Sequence, residues 1–142
     1  MALVSLVYVS AATHPMTDAD LRDILTTARE KNDKRDITGM LLYRDGFFIQ
    51  ALEGEQSAVD EIFQAIKQDD RHTNVIIVYQ EPVQSRSFGH WSMGFNKIED
   101  ADAEKIPGFT DFLDKPFSSS FLTANPSRAK SLLQSFRDRN YF

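Results

Sequence analysis

The stretch ITGMLLYRDGFFIQALEG, residues 37–54, predicts a β-hairpin at the centre of the fold. Two apolar runs flank an Asp-Gly pair, which is a strong signal for a tight turn between paired strands. Because side chains alternate along a strand, Gln50 shares one face with Phe48 and Leu52, and that face should be buried. An unpaired buried amide costs roughly a few kcal/mol. Gln50 therefore needs hydrogen-bonding partners from other elements.

The composition is that of an ordinary globular chain. The 142 residues are 42% hydrophobic and 26% charged and include no cysteine, so we expect no disulfide and a reducing cytoplasm suits the chain. No apolar run is long enough to span a bilayer, and no membrane contact is expected. A net charge of −5 argues against direct nucleic-acid binding. His14 and His90 lack ligand spacing, so no metal site is predicted.

Two other segments also place polar side chains where apolar ones are expected. Residues 3–10 alternate as a first strand, with Tyr8 on the face that should be buried. Thr17 resembles an N-cap and precedes a helix whose apolar stripe is Leu21, Ile24, Leu25 and Ala28. Asn32 continues this stripe at helical spacing. It is either an amide aimed at a buried site or a helix C-cap, and spacing leaves both readings open.

The remaining elements complete a recognisable order. A second helix is predicted from the stripe Val59, Ile62, Phe63 and Ile66, followed by a strand at residues 74–80. A short fifth strand is predicted at residues 90–96, with Trp91, Met93 and Phe95 on one side. The order predicts an α+β, ferredoxin-like βαββαβ fold with an added fifth strand and two helices on one sheet face. In that fold Tyr8 and Gln50 are neighbours facing the helices, and Asn32 reaches the same space.

The other face of the sheet is also apolar and needs a cover. Its expected residues are Leu3, Val7, Val9, Ile37, Leu41, Phe47 and Ile49. The phenylalanine-rich segment 97–142, with a last helix opened by Pro126, is the predicted cover. We therefore divide the chain into a core domain at residues 1–96 and a C-terminal helical extension at residues 97–142.

A phenol and two amides that converge in an apolar cleft favour a flat ligand with a hydrogen-bonding edge. The residues involved resemble the BLUF family, blue-light sensors that use FAD. The matching motifs are LVYVS, AREKND, DITGMLLYRDGFFIQALEGE, DDRH and HWSMGF, in the family's order within residues 1–96. The resemblance implies a non-enzymatic photoreceptor that holds the flavin ring between its two helices. Output is expected through a downstream protein partner or a homo-oligomer, since no catalytic module follows.

The resemblance also implies roles for individual residues. Tyr8 matches the light-driven donor of an electron and a proton, and Gln50 matches the glutamine that bridges this tyrosine to the flavin. Asn32 matches an amide that pairs with the flavin edge, while Trp91 and Met93 match a pair that changes environment during signalling. The other expected cofactor contacts are Ser10, Ile24, Leu25, Ala28, Phe48, Ile66, Asp69, Arg71 and His72.

Purely structural roles remain open for several of these residues. On spacing alone, Tyr8, Trp91 and Met93 are ordinary core residues. His72 is either a helix cap or a phosphate contact.

Two positions depart from the family pattern. Members often carry an amide at position 31 and a basic residue at position 65, where this chain has Lys31 and Ala65. The basic residue is expected to contact the FAD phosphates. Lys31, Lys67 or Arg71 could replace it.

Two other function classes fit the fold. A small phosphohydrolase of the acylphosphatase type needs an anion-binding arginine in the loop after the first strand, and residues 11–16 contain none. An RNA-binding sheet needs a basic strand with exposed aromatics, which the sequence lacks.

Overall fold

The fold is described by a computed structural model, covering residues 3–44, 46–89, 91–97, 130, 133 and 134. Its elements are β1 (Leu3–Ala12), α1 (Asp18–Arg35), β2 (Thr38–Arg44), β3 (Phe47–Glu55), α2 (Gln56–Gln68), β4 (His72–Val83) and β5 (Gly94–Lys97). The sheet order is β4-β1-β3-β2-β5, with β1 to β4 antiparallel and β5 parallel to β2. The predicted ferredoxin-like fold with a fifth strand is confirmed. No helix within the described ranges is long and apolar enough to cross a membrane.

Helix α1 begins and ends at residues that hold its free backbone groups. The Thr17 side chain accepts from the Asp20 N–H at 3.2 Å, and the Thr17 N–H donates to Asp20 Oδ2 at 3.0 Å, which is a capping box. The C-cap is Asp36, in the left-handed conformation with φ 54°. The helix therefore continues a full turn beyond Asn32. The alternative that Asn32 is the C-cap is wrong, and its side chain is buried.

The central hairpin has the register that a two-residue loop dictates. Arg44 pairs with Phe47 across the loop, and Gly46 has φ +84°, which glycine adopts without strain. The same register places Leu41 opposite Gln50. Directly opposed residues share a sheet face, so Leu41 faces the helices. The prediction that Ile37 and Leu41 lie on the outer face is wrong for this reason.

Each face of the sheet carries its own core. The helix-side cluster includes Tyr8, Leu21, Leu25, Ile37, Leu41, Phe48, Leu52, Phe63, Met93 and Phe95. The outer-face cluster comprises Val7, Val9, Met40, Leu42, Ile49, Ala51, Phe88 and Leu133. Leu133, from the predicted last helix, is thus packed where a cover was expected. The rest of the predicted extension lies outside the described residues, apart from Lys130 and Gln134.

Residues 84–93 connect the two edge strands, and we call them the crossing loop. Strand β5 begins at Gly94, four residues later than predicted, and β4 begins at His72, two residues earlier. Within the loop the Trp91 N–H donates to Phe88 O at 3.0 Å, and the chain bends. Trp91 consequently packs against the outer-face cluster, whereas Met93 and Phe95 join the helix-side cluster. The prediction that all three share one side is wrong, because strand alternation does not hold in a loop.

Candidate functional site

Tyr8 and Gln50 form a buried hydrogen-bonded pair at the centre of the sheet. They are register partners on β1 and β3, and the Tyr8 hydroxyl donates to Gln50 Oε1. Both side chains are buried, at 0% and 4% exposure. Burial raises the pKa of the Tyr8 phenol well above its ordinary value, and the negative charge of Asp69 raises it further. The phenol therefore keeps its proton at neutral pH.

The other end of the Gln50 amide is also occupied. Its Nε2 donates to Met93 Sδ at 3.3 Å, so the donor and acceptor ends contact two different residues. The Met93 side chain is fully buried, and its backbone carbonyl accepts from Arg29 Nε at 2.9 Å. Met93 is thus held beside Gln50 by one contact to its side chain and another to its backbone.

Asn32 carries an unsatisfied buried acceptor. Its Nδ2 donates to the Ser92 carbonyl at 2.6 Å, which fixes the side chain. Among the described residues, Asn32 Oδ1 is the one buried side-chain atom without a hydrogen-bond partner. Such a group costs about 1–3 kcal/mol when nothing pairs with it. A ligand that brings an N–H donor would satisfy it.

A cavity of about 490 Å³, including its open mouth, lies beside these residues. Small-molecule sites are typically concave and apolar, with a few polar groups on the wall, as this cavity is. Eight of the predicted cofactor contacts line it: Ile24, Ala28, Asn32, Gln50, Ile66, Asp69, Arg71 and His72. Four do not reach its surface and lie within the buried interior instead, namely Tyr8, Ser10, Leu25 and Phe48. The predicted signalling residues Trp91 and Met93 are also absent from its wall.

Five further residues line the cavity outside the predicted set: Thr27, Lys31, Leu41, Ile62 and Ala65. Thr27 and Lys31 lie on the same side of α1 as Ile24 and Ala28, at helical spacing, and that spacing could have identified them. Ile62 and Ala65 are similarly related to Ile66 on α2. Leu41 follows from the hairpin register.

Three charged side chains form part of the cavity wall, namely Lys31, Asp69 and Arg71. Asp69 accepts from Arg71 Nε at 2.9 Å and Nη2 at 2.6 Å, and from the Arg71 backbone N–H at 2.9 Å. These hydrogen bonds lower the pKa of Asp69 and raise that of Arg71. The two charges largely cancel each other. Lys31 supplies another cation on the wall, so the ammonium at position 31 is available for an anionic ligand group.

His72 is a wall residue with a polar partner behind it. Its Nδ1 lies 2.9 Å from Ser10 Oγ, and its ring packs 4.8 Å from that of Phe48, measured between centroids. Helix α2 ends at Gln68 with Asp69 as its C-cap, so the His72 side chain does not cap it. Burial lowers the pKa of His72 below its ordinary value of 6.5.

The lowered pKa of His72 predicts a loss of stability in mild acid. Because the folded state disfavours the charged imidazole, the unfolded chain takes up the proton first as the pH falls below about 6.5. The free energy of unfolding should then fall by up to about 1.4 kcal/mol per pH unit until the folded-state pKa is reached. Urea unfolding between pH 7.5 and 5.5 measures this slope. We expect His72→Gln to reduce the dependence of the free energy of unfolding on pH. The control His14→Gln, at an exposed position, should leave that dependence unchanged. Equal slopes in the wild type and both variants would contradict the assignment to His72.

The fold and the site together define a small α+β domain with a mostly apolar cavity, lined by its two helices and the sheet, that has hydrogen-bonding groups on its wall. The sequence matches the family described as "BLUF: Sensors of blue-light using FAD" over residues 3–94. The chain belongs to the BLUF family, and it is a blue-light sensor with FAD as its cofactor. The unsatisfied Asn32 Oδ1 and the mostly apolar walls fit such a cofactor.

Similar proteins fall into two groups by length. Photoactivated adenylate cyclase subunit beta of Euglena longa is 42% identical over 92 residues, which is 64% of this chain and 11% of that protein. The structure described as "BlsA photo-activated state" has a TM-score of 0.81 at 34% identity, covering 95% of this chain and 94% of that one. "BlrB - a BLUF protein, dark state structure" has a TM-score of 0.73 at 31% identity, covering 92% and 96%. The chain thus spans about a tenth of the length of the cyclase but nearly the whole length of the BlsA and BlrB chains.

Proposed function

We propose that this chain is a light-driven switch in which Tyr8 and Gln50 are the photoactive pair and the output is a change in protein contacts. The observation that carries the proposal is the buried hydrogen bond from the Tyr8 hydroxyl to Gln50 Oε1 at the edge of the cavity. The match to the cyclase covers 11% of that protein, so it gives no support for catalysis by this chain. The cysteine-free sequence is compatible with a reducing cytoplasm, where we place the protein.

The residues around the cavity would hold FAD by shape and by a few polar contacts. Asn32 Oδ1 would accept from a ring N–H, and the apolar walls from α1 and α2 would enclose the ring. Lys31 is the best placed cation for the phosphates, because Arg71 is already paired with Asp69. This assignment accounts for the missing basic residue at position 65.

The photoactive pair can exist in two hydrogen-bonding arrangements. When bound, FAD would supply blue-light absorption and would serve as the acceptor for an electron and a proton from Tyr8. Tyr8 Oη is the atom that loses the proton and later regains it. While the proton is absent, Gln50 Oε1 has lost its donor, and the amide can return rotated or as its tautomer. A rotated amide turns its oxygen towards Met93 Sδ, which has no hydrogen to donate.

The loss of the contact between Gln50 and Met93 gives the switch a structural output. Met93 is the last residue of the crossing loop, and the same loop carries Trp91 to the outer-face cluster. We propose that movement of this loop alters the outer surface near Leu133. A partner protein or a second copy of this chain would detect that change.

Reconstitution with FAD tests the proposal directly. The purified chain loaded with FAD should be yellow and should show a reversible red shift under blue light. Gln50→Leu should keep the flavin and abolish the shift, because no amide remains to change its hydrogen bonds. Gln64→Leu, the same substitution on the exposed surface of α2, is the matched control and should behave as the wild type. A chain that takes up no flavin, or a normal shift in Gln50→Leu, would show that the proposal is wrong.

A further inference from the structure

The crossing loop is fixed at its centre by a buried carboxylate that the switch does not use. Glu53, on β3, is 2% exposed. Its Oε2 accepts from the Ser87 N–H at 2.7 Å, and its Oε1 accepts from the Phe88 N–H at 2.9 Å. Oε1 also accepts from Thr38 Oγ1 at 3.1 Å. All three partners are donors, so the site suits an ionised carboxylate.

Arg86 extends this attachment by one residue. Its Nη1 donates to Thr38 Oγ1 at 2.9 Å and to the Glu53 carbonyl at 3.0 Å. Its Nη2 donates to the carbonyl of Asp36, the C-cap of α1, at 2.8 Å. Three consecutive loop residues, 86–88, are therefore bound to the start of β2 and the end of β3. The loop cannot shift here without breaking several hydrogen bonds together.

The other end of the same loop contacts the photoactive pair. Asn32 donates a hydrogen bond to the Ser92 carbonyl, and Arg29 donates one to the Met93 carbonyl. Gln50 donates to Met93 Sδ. Gln50 and Glu53 lie three residues apart on β3 and consequently project from opposite faces of the sheet. One strand thus contacts both the centre and the end of the loop.

We propose that Glu53 is a positioning residue for the light switch. Its carboxylate fixes residues 87 and 88 so that Met93 stays against Gln50, and it thereby sets how fast the illuminated state returns to the dark state. The inference rests on the proposed roles of Gln50 and Met93. The attachment of the loop by Glu53 can nevertheless be measured without light.

Glu53→Gln in the FAD-loaded full chain is the test. Glutamine keeps the size but turns an NH2 donor towards a backbone N–H, so one loop hydrogen bond is lost. We expect the amides of Ser87 and Phe88 to exchange faster with solvent in the dark. We also expect dark recovery of the red shift to become about three- to tenfold faster, the effect of losing part of a charge-assisted hydrogen bond. The amplitude of the shift should persist, because Tyr8 and Gln50 are untouched.

Two controls separate positioning from general weakening. Glu55→Gln removes an exposed carboxylate from the same strand, and Val59→Ala weakens the core at a residue of α2, outside the loop. Both should recover at the wild-type rate. Thr38→Val removes the hydroxyl that links Glu53 to Arg86, and it should show a smaller effect in the same direction. It also provides the test if Glu53→Gln does not fold.

Recovery within twofold of the wild type, despite faster exchange at Ser87 and Phe88, would overturn the proposal. Unchanged exchange would overturn it as well. If the wild type itself shows no red shift, the proposed function has failed. The exchange rates then show separately whether Glu53 holds the loop.

Discussion

Replacing Tyr8 with phenylalanine should abolish the reversible red shift while leaving FAD bound. The substitution keeps the ring, which is fully buried in the helix-side cluster, and removes only the hydroxyl that donates to Gln50 Oε1. The cavity wall is unchanged, because Tyr8 does not line it. The group from which the proton leaves is lost, so light cannot change the Gln50 hydrogen bonds. The measurement is a dark-minus-light absorption spectrum of the FAD-loaded variant.

Tyr43→Phe is the matched control for this result. Tyr43 is a second tyrosine buried in the helix-side cluster. Its hydroxyl accepts from the Met16 N–H at 3.3 Å, whereas the Tyr8 hydroxyl donates to Gln50. Both variants lose one buried hydroxyl, and each should lose about 1–3 kcal/mol of stability if its partner is left unpaired. Only Tyr8→Phe should lose the shift. A wild-type shift in Tyr8→Phe would make Tyr8 a core residue and show that the proposed mechanism is wrong.

Shortening Leu133 to alanine should weaken the packing of this side chain against the outer face of the sheet. Leu133 is 1% exposed within the outer-face cluster, alongside Phe88 and Ile49. Removal of a buried leucine side chain in this way costs about 2–5 kcal/mol of the free energy of unfolding. Urea or thermal unfolding of the FAD-loaded chain measures the loss. New self-association is also expected, because the outer face becomes partly exposed.

Lys130→Met separates the apolar contact from the nearby ion pair. Lys130 Nζ lies 2.9 Å from Glu81 Oε1, but both side chains are nearly half exposed. Exposed ion pairs contribute about 0–1 kcal/mol, so this variant should unfold close to the wild type. Gln134→Ala, next to Leu133 but exposed, should have no effect. If Leu133→Ala melts as the wild type does, packing at Leu133 does not stabilise the fold.

Much of the site could be predicted from local periodicity. The strand alternation placed Tyr8 and Gln50 on the helix side, and the helical spacing placed Asn32 beside them. Strand alternation did not predict the correct face for Leu41. The register across the turn places Leu41 opposite Gln50, and the pattern within β2 does not contain that register. The two-residue Asp-Gly loop contained that information.

The crossing loop was beyond prediction for a different reason. Trp91 and Met93 are two residues apart and would share one face of a strand, yet the chain bends at residues 92 and 93 and the two side chains join different clusters. The sequence around Glu53 indicates a strand but does not indicate which residues this carboxylate contacts. Its three hydrogen bonds join residues that are 15, 34 and 35 positions apart in the chain. No periodic pattern predicts such contacts.

The sequence by itself determined the two helices, the antiparallel strands, and the inward faces of Tyr8, Gln50 and Asn32. These features depend on side chains within one turn or one strand, where spacing of 3.6 or 2.0 residues acts locally. The tertiary structure alone decided that Gln50 contacts Met93 and that Glu53 fixes the crossing loop. Each of these contacts depends on how irregular segments cross the sheet. Loop backbone follows its long-range hydrogen bonds, and they form only when the whole sheet is assembled.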